Sequence, residues 1–348
     1  MAHSLAAKGS WRLGGARNQL RGSWTAGRPA TILQAAAAST AASSVRVLDE
    51  RTAPEKLRDV TTMLFDCDGV LWRGNEIIHH APEALRELRR QGKRVLFITN
   101  NSSKSRVAYT DKFRGLGLDV EAHEIVSSSY CAAAYLTSVG GFGPGGKKVL
   151  LLGWTGVEEE LTAAGINFVG GRHLPLPHMD NIQAMMDLRV DPDIGAVVVG
   201  WDPNFSYSRL VYASIHLREL PGCLLVATNT DHADHIGPSP TGHARMMPGT
   251  GGLVAAIEVT SGVKAINVAK GGPWLLPYLL SKYGFEASRT AIVGDRLDTD
   301  IHLGKEGGLV TCLPLTGVTT MAALEALPEA ERPDLVVPSV AALAGLQP

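Results

Sequence analysis

The stretch TTMLFDCDGVLW, residues 61–72, opens as a run of β-branched and apolar residues and closes on two aspartates, Asp66 and Asp68, with Gly69 behind them. A short apolar run bounded by turn residues reads as a buried strand. The glycine lets the chain turn away from the strand's end. Alternate side chains of a strand share a face, so Asp66 and Asp68 are expected on one side and Cys67, as a buried structural thiol, on the other. Two carboxylates on one side repel each other unless a cation sits between them. A hard, oxygen-seeking ion such as Mg2+ answers that need.

Seven further runs have the same character: RVLFITN (94–100), KKVLLLG (147–153), GAVVVGWD (195–202), CLLVATNTD (223–231), AINVA (265–269), TAIVGD (290–295) and VTCLPL (310–315). Amphipathic segments separate them. APEALRELRRQG (81–92) places Ala84, Leu85 and Leu88 at helical spacing, with Pro82 near its start and Gly92 at its end. Strands alternating with helices predict an α/β fold, a parallel sheet covered on both faces. The composition breaks at SVGGFGPGGKK (138–148) and again at GPSPTGHARMMPGTGG (237–252), so the chain between them is expected to form an inserted domain.

In open α/β sheets the ligand crevice lies at the carboxyl ends of the strands, so polar strand ends carry the functional reading. VLFITNN ends on Thr99, Asn100 and Asn101, which offer a hydroxyl and amides to phosphoryl oxygens without adding charge. AIVGDRLDTDI brings Asp295, Asp298 and Asp300 as further oxygen donors, with Asp298 expected on the surface. Lys270 in NVAKGGPW supplies a point charge that suits both a phosphate and a carboxylate nucleophile.

With these four motifs in order from about residue 60 to the C-terminus, the sequence resembles the haloacid dehalogenase superfamily. LFDCDGVLWRG, ITNNSSKSR, PGTGGLVAAIE and GDRLDTDI resemble its branch of phosphoglycolate and pyridoxal phosphate phosphatases. The resemblance implies a Rossmann-like, doubly wound core over 60–142 and 248–348, with an α/β cap inserted over 143–247. It implies Asp66 as the nucleophile that becomes an aspartyl-phosphate and Asp68 as the acid, then base. Thr99 and Lys270 would hold the phosphoryl group. Mg2+ would be bound by the Asp66 side chain, the Asp68 backbone carbonyl and Asp295, with Asp300 fixing metal-bound water. Side chains 66, 68 and 295 are accordingly expected to converge at one mouth of the sheet, opposite the amine of Lys270. The sequence departs from the family's Gly-Lys-Pro-Ser at Ala269-Lys270-Gly271-Gly272-Pro273, where the extra glycine puts the position of Lys270 in question and leaves Lys264 as the nearby substitute.

The cap is expected to choose the substrate. GWDPNFSYSRL and ATNTDHADH place Trp201, Asp202, Asn229, Asp231, His232 and His235 at strand ends, where ordinary turn chemistry explains them as well as substrate contact does. The leading substrate is 2-phosphoglycolate. Pyridoxal phosphate, a broad range of small esters including 4-nitrophenyl phosphate, and an inactive phosphate-binding regulator are the alternatives. The family also suggests a homodimer through the cap.

The charge balance, 33 basic against 34 acidic residues, calls for no nucleic acid partner. It is unevenly placed: the first 48 residues carry six basic residues and no acidic one, leaving 27 basic against 34 acidic residues, a formal −7, for the rest. This basic, Ser- and Ala-rich opening reads as an organelle-targeting leader. A plastid is preferred, where the oxygenase side reaction of carbon fixation makes phosphoglycolate, and mitochondrion or cytoplasm are the alternatives. No long apolar run suggests a membrane span. GFGPGGKK (141–148) imitates a phosphate-binding loop, but Lys148 stands where Ser or Thr is needed and the strand follows the loop instead of preceding it. His232, His235 and His243 lie among Gly237, Pro238 and Pro240, which break any helix that would gather them on a metal.

Overall fold

The run that opens the chemistry is a strand buried along its whole length: Thr62–Phe65 is covered on both faces. In a computed structural model describing residues 44–348 apart from 174, 175 and 239, it is the first of eleven strands in two parallel sheets. The leader read from the sequence lies, as far as residue 43, outside the described residues. Along the chain these strands are β1 (Thr62–Phe65), β2 (Arg94–Thr99), β3 (Ile125–Ser127), β4 (Lys148–Leu152), β5 (Phe168–Gly170), β6 (Ile194–Val199), β7 (Leu224–Ala227), β8 (Ile266–Asn267), β9 (Thr290–Val293), β10 (Val310–Pro314) and β11 (Leu335–Val337).

The first sheet has the order β11-β10-β9-β1-β2-β3, with every neighbouring pair parallel. Phe65 on β1 pairs with Val293 on β9 and with Phe97 on β2. Numbered within the sheet, this is the 3-2-1-4-5-6 order of the doubly wound fold, whose topological switch point lies between the first and fourth strands. Those strands are β1 and β9. The switch therefore opens a crevice at the ends that lead into Asp66 and Asp295.

The second sheet has the order β8-β7-β6-β4-β5, again all parallel. Its period-two pattern sorts side chains cleanly. Val149, Leu151, Ala196, Val198 and Val226 join a core that also holds Leu64, Leu96, Ile98 and Ile292 of the first sheet. Leu150, Leu152, Val197, Val199, Leu225 and Ala227 turn the other way, onto Tyr212, Ala213 and Leu217 of helix Tyr207–Glu219 and onto Val254 and Ile257 of helix Thr250–Ser261. The two sheets thus share one apolar core, and residues 44–348 form one compact unit.

Sheet membership moves the boundary read from sequence. Composition breaks place the end of the insertion at 247; β8 hydrogen-bonds to β7, so the second sheet runs on to Asn267. The proline- and glycine-rich break at 237–252 overlaps an antiparallel hairpin, Ala233–Pro238 with Ala244–Pro248, irregular between His235 and Pro238. All eight apolar runs are strands, and APEALRELRRQG forms the helix Ala81–Arg90. Among the described residues no helix is long and apolar enough to cross a membrane.

The two layers meet tightly behind the loop that follows β2. A Cβ at Gly156, in the first turn of helix Thr155–Ala163, would lie 2.5 Å from backbone atoms of Lys104 and 2.6 Å from the Ser102 carbonyl oxygen. Backbone yields poorly, so Gly156→Ala should destabilise the protein by about 1–3 kcal/mol in urea unfolding. Gly252→Ala, on the exposed side of helix Thr250–Ser261 with nothing within 4 Å, should be neutral or stabilising by up to about 1 kcal/mol.

Candidate active site

Asp66 follows β1 directly, and its N–H donates to the Val293 carbonyl of β9 at 2.8 Å. Asp295 lies two residues beyond the end of β9, and Asp300 sits in the widened helical turn Leu297–Ile301. Lys270 arrives from the second sheet, three residues after β8. Its ammonium lies 2.6 Å from Asp66 Oδ1 and 2.8 Å from Asp300 Oδ1. Carboxylate oxygens of Asp66, Asp295 and Asp300 all fall within 4.8 Å of one another, and all three residues are buried. The carboxyl ends of both sheets therefore close on one charged cluster.

The crowding shows in proton affinities. Burial pushes the Asp66 carboxyl up to about 6, against the pull of Lys270 and with the help of Asp295. Burial, then the Asp300 charge, pushes Asp295 up to about 6. Asp300 is pushed up to about 7, chiefly by burial, with Lys270 opposing. Burial pulls Lys270 down, but Asp300 and Asp66 outweigh it, so the net shift is upward and the amine stays charged.

Three buried carboxylates share one ammonium, so the ionised cluster is short of positive charge. A divalent cation bound by oxygen donors fits that deficit, and Asp66, Asp295 and Asp300 are the side chains that would hold it. The space beside Asp295 is kept by absent side chains. A Cβ at Gly317 would come within 1.8 Å of Asp295 Oδ2, and one at Gly69, where φ is +80°, within 2.4 Å of the same atom.

The expected convergence of side chains 66, 68 and 295 is corrected in one member. β1 ends at Phe65, and beyond it the Cys67 carbonyl accepts the N–H groups of Val70, Leu71 and Trp72, so the chain is already turning and strand alternation no longer applies at Asp68. Its carboxylate is not among the clustered ones: it accepts the Trp72 indole N–H at 2.8 Å, and the third clustered carboxylate is that of Asp300. Cys67 is fully buried, and burial pushes its thiol far up.

The extra glycine does not displace Lys270. Gly271 adopts φ +88° and Gly272 packs where a Cβ would be 2.0 Å from the Asn267 carbonyl oxygen, a turn tight enough to aim the lysine inward. Lys264, the substitute, is 89% exposed and pairs with Glu258. Thr99 is buried at the end of β2, and its Oγ1 accepts the Asn101 N–H at 3.2 Å. Asn100 is occupied otherwise than expected: Oδ1 accepts the Lys270 N–H at 3.0 Å, and Nδ2 donates to Asp231 Oδ1 at 3.0 Å. Asn101 accepts from Ser103 through its side chain.

Of the second-layer candidates, Asn229 is buried and donates to the Asn100 carbonyl at 2.8 Å, while its Oδ1 accepts the Asp231 N–H. Asn100, Asn229 and Asp231 thus form a knot that fixes the lysine loop. Asp202 is committed to Arg209 at 2.5 Å. Trp201 packs edge-on to Trp154, and His232 is exposed. The side chain of His235 lies outside the described residues. Asp298 is 59% exposed and pairs with Arg296. The loop GFGPGGKK joins helix Ser128–Val139 to β4, so it lacks the strand-before, helix-after setting of a phosphate loop.

Sequence reasoning missed the loop after β10. Val318 N–H donates to Asp295 Oδ2 at 2.7 Å, Thr319 Oγ1 donates to the Asp295 carbonyl at 2.6 Å, and Thr316 Oγ1 donates to the Gly69 carbonyl at 2.7 Å. The signal was LTGVTT (315–320), three threonines around a glycine at a strand end, which reads as any polar turn.

Comparison with known proteins agrees with this architecture. A family model described as haloacid dehalogenase-like hydrolase matches residues 63–167, and a second HAD-hydrolase-like model matches 267–343. A chloroplastic phosphoglycolate phosphatase (1A) of Arabidopsis thaliana is 40% identical over 288 residues, covering 81% of this chain and 76% of that protein. The glycerol-3-phosphate phosphatase of Homo sapiens is 42% identical over 311 residues, covering 86% and 94%. Among solved structures, a 4-nitrophenylphosphatase from Thermotoga maritima superposes with a TM-score of 0.67 at 30% identity, covering 83% of this chain and 97% of that one. A glycerol phosphate phosphatase from Mycobacterium tuberculosis in complex with magnesium gives 0.66 at 26% identity, covering 86% and 78%. Matched over 63–167 and 267–343 by the family's models and related along most of its length to named phosphatases, this chain belongs to the haloacid dehalogenase-like hydrolases, as a phosphoric monoester hydrolase.

Proposed function

We propose that the protein hydrolyses 2-phosphoglycolate in two phosphoryl transfers, first to Asp66 and then to water, in a divalent-cation-dependent reaction. The observation that carries the two-step transfer is the buried pairing of Asp66 with Lys270 at 2.6 Å inside a cluster of three carboxylates. A carboxylate oxygen of Asp66 attacks phosphorus, the bond to the leaving oxygen breaks, and Asp68 gives that oxygen a proton. Asp68 then takes a proton from the water that attacks the aspartyl-phosphate. Lys270 keeps positive charge beside the nucleophile, and Thr99 stands at the end of β2 to receive a phosphoryl oxygen. Mg2+, when bound, would supply the charge that lets an anionic nucleophile and an anionic phosphate approach.

The Arabidopsis relative's name supports phosphoglycolate, and its chloroplastic label together with the basic, acid-free leader supports a plastid. A second reading, glycerol 3-phosphate, is favoured by the human relative, which this chain matches over 94% of its length. Both are small alkyl esters.

After removal of divalent ions, phosphate release should be measured from 2-phosphoglycolate, glycerol 3-phosphate, pyridoxal phosphate and 4-nitrophenyl phosphate, with and without added Mg2+. Activity should require the ion and be highest on 2-phosphoglycolate, and Asp66→Asn should lower kcat by at least about 10³-fold. Turnover by the Asp66→Asn variant would overturn the nucleophile, and a clear preference for another ester would replace the substrate.

The cluster also predicts a pH dependence of stability. Asp66, Asp295 and Asp300 have folded-state pKa values raised to about 6, 6 and 7, above those of an unfolded chain. A raised pKa means the folded state binds protons more tightly. The resulting stabilisation is complete at low pH and is lost as pH rises through about 6 to 7. In chelator, the contribution of this cluster to Tm should therefore fall between pH 5.5 and pH 8, seen as a shallower pH slope in Asp295→Asn than in the wild type. Mg2+ should raise Tm at pH 8 more than at pH 5.5.

A further inference from the structure

Asp68 is not loose at the mouth of the site. Its Oδ1 accepts the Trp72 indole N–H at 2.8 Å, and the Lys112 ammonium lies 3.9 Å from the same oxygen. Trp72 is fully buried, with its ring edge-on to Phe113 at 4.9 Å, and Phe113 packs on Phe97 of β2 at 4.8 Å. Lys112, next to Phe113 on helix Arg106–Gly115, holds its ammonium 4.2 Å from the centre of the Trp72 ring. The backbone is tied as well, since Gly69 N–H donates to the Trp72 carbonyl at 2.7 Å. The Asp68 side chain is 51% exposed, and its Oδ2 takes part in no hydrogen bond among the described residues.

An indole N–H and an ammonium can only donate, so Oδ1 must act as acceptor whichever way the carboxyl is protonated. We propose that Trp72 and Lys112 position Asp68 for proton transfer by claiming Oδ1, which leaves Oδ2 as the oxygen that exchanges the proton with the substrate. This rests on the reading of Asp68 as acid and base given above. In the first transfer the O–P bond to Asp66 forms, the P–O bond to the leaving group breaks, and the proton on Oδ2 passes to the departing oxygen. In the second, Oδ2 takes a proton from water as its oxygen bonds to phosphorus, and the Asp66–phosphate bond breaks to release inorganic phosphate. Trp72 and Lys112 act through Asp68, on the oxygen that does not exchange the proton.

Leaving groups report on this directly. An alkoxide needs a proton to depart, whereas 4-nitrophenolate leaves readily without one. Aligned general-acid catalysis is worth about 10²–10⁴-fold, so a misaligned donor should cost alkyl esters far more than the aryl ester. In Trp72→Phe, which keeps an aromatic side chain against Phe113 and removes the indole donor, kcat/KM for 2-phosphoglycolate and glycerol 3-phosphate should fall about 10- to 100-fold, and that for 4-nitrophenyl phosphate by less than about threefold. Asp68→Asn should show the same split in larger measure. If Trp72→Phe does not give folded protein by circular dichroism, Lys112→Met carries the test, with an expected split of about threefold or more. Equal losses on both ester types, or none, in a folded Trp72→Phe or Lys112→Met variant overturn the proposal while the split in Asp68→Asn keeps the acid role intact. Absence of the split in Asp68→Asn overturns the acid role and the proposal with it.

Discussion

A single ammonium group, that of Lys270, is surrounded by carboxylates that burial would otherwise neutralise. Removing one partner from a buried pair leaves an uncompensated charge, at a cost of about 3–5 kcal/mol. Much of the local backbone serves to keep this arrangement from relaxing. Asn100 grips the Lys270 N–H, Asn229 grips Asn100, and the 316–319 loop grips Asp295 at both its carboxylate and its carbonyl. Glycines at 69 and 317 stand where any side chain would press on that carboxylate. Charge, hydrogen bonding and empty volume converge on one point between the sheets.

That point is where the topology puts it. In a doubly wound sheet the helices on either side of the switch strands diverge, so the ends of β1 and β9 are left uncovered by their own connections. The second sheet fills the gap by directing its own carboxyl ends at the same place, and the two layers are fixed there by one shared apolar cluster. The nucleophile comes from one layer and its counter-charge from the other.

Much of this was legible in the sequence because buried parallel strands are nearly continuous apolar runs and their polar ends stand out. Asp66, Thr99, Lys270 and Asp295 were readable for that reason. Short strands were not: Ile125–Ser127 runs straight into a helix, and Leu335–Val337 is three residues between loops, too little for periodicity to speak. Strand alternation does not place Asp68, because the chain is already turning at Cys67, whose carbonyl accepts the N–H groups of Val70, Leu71 and Trp72. Asn100 and Asn229 looked like ligand contacts because composition marks an amide at a strand end without saying whether its partner is a substrate or the neighbouring loop. The clasp on Asp295 is made by a backbone N–H and a threonine far along the chain, and neither carries a signature that a single sequence can display.

The membership of Ile266–Asn267 in the second sheet has a practical side for anyone wishing to exchange that layer between relatives. A chimaera cut at 143 and 247 would import four parallel strands while keeping the host's edge strand, so the backbone ladder that aims the lysine would be assembled from two parents. Moving the second junction past Asn267, into the glycine turn, transplants the layer with its own amine and leaves only that turn to be matched.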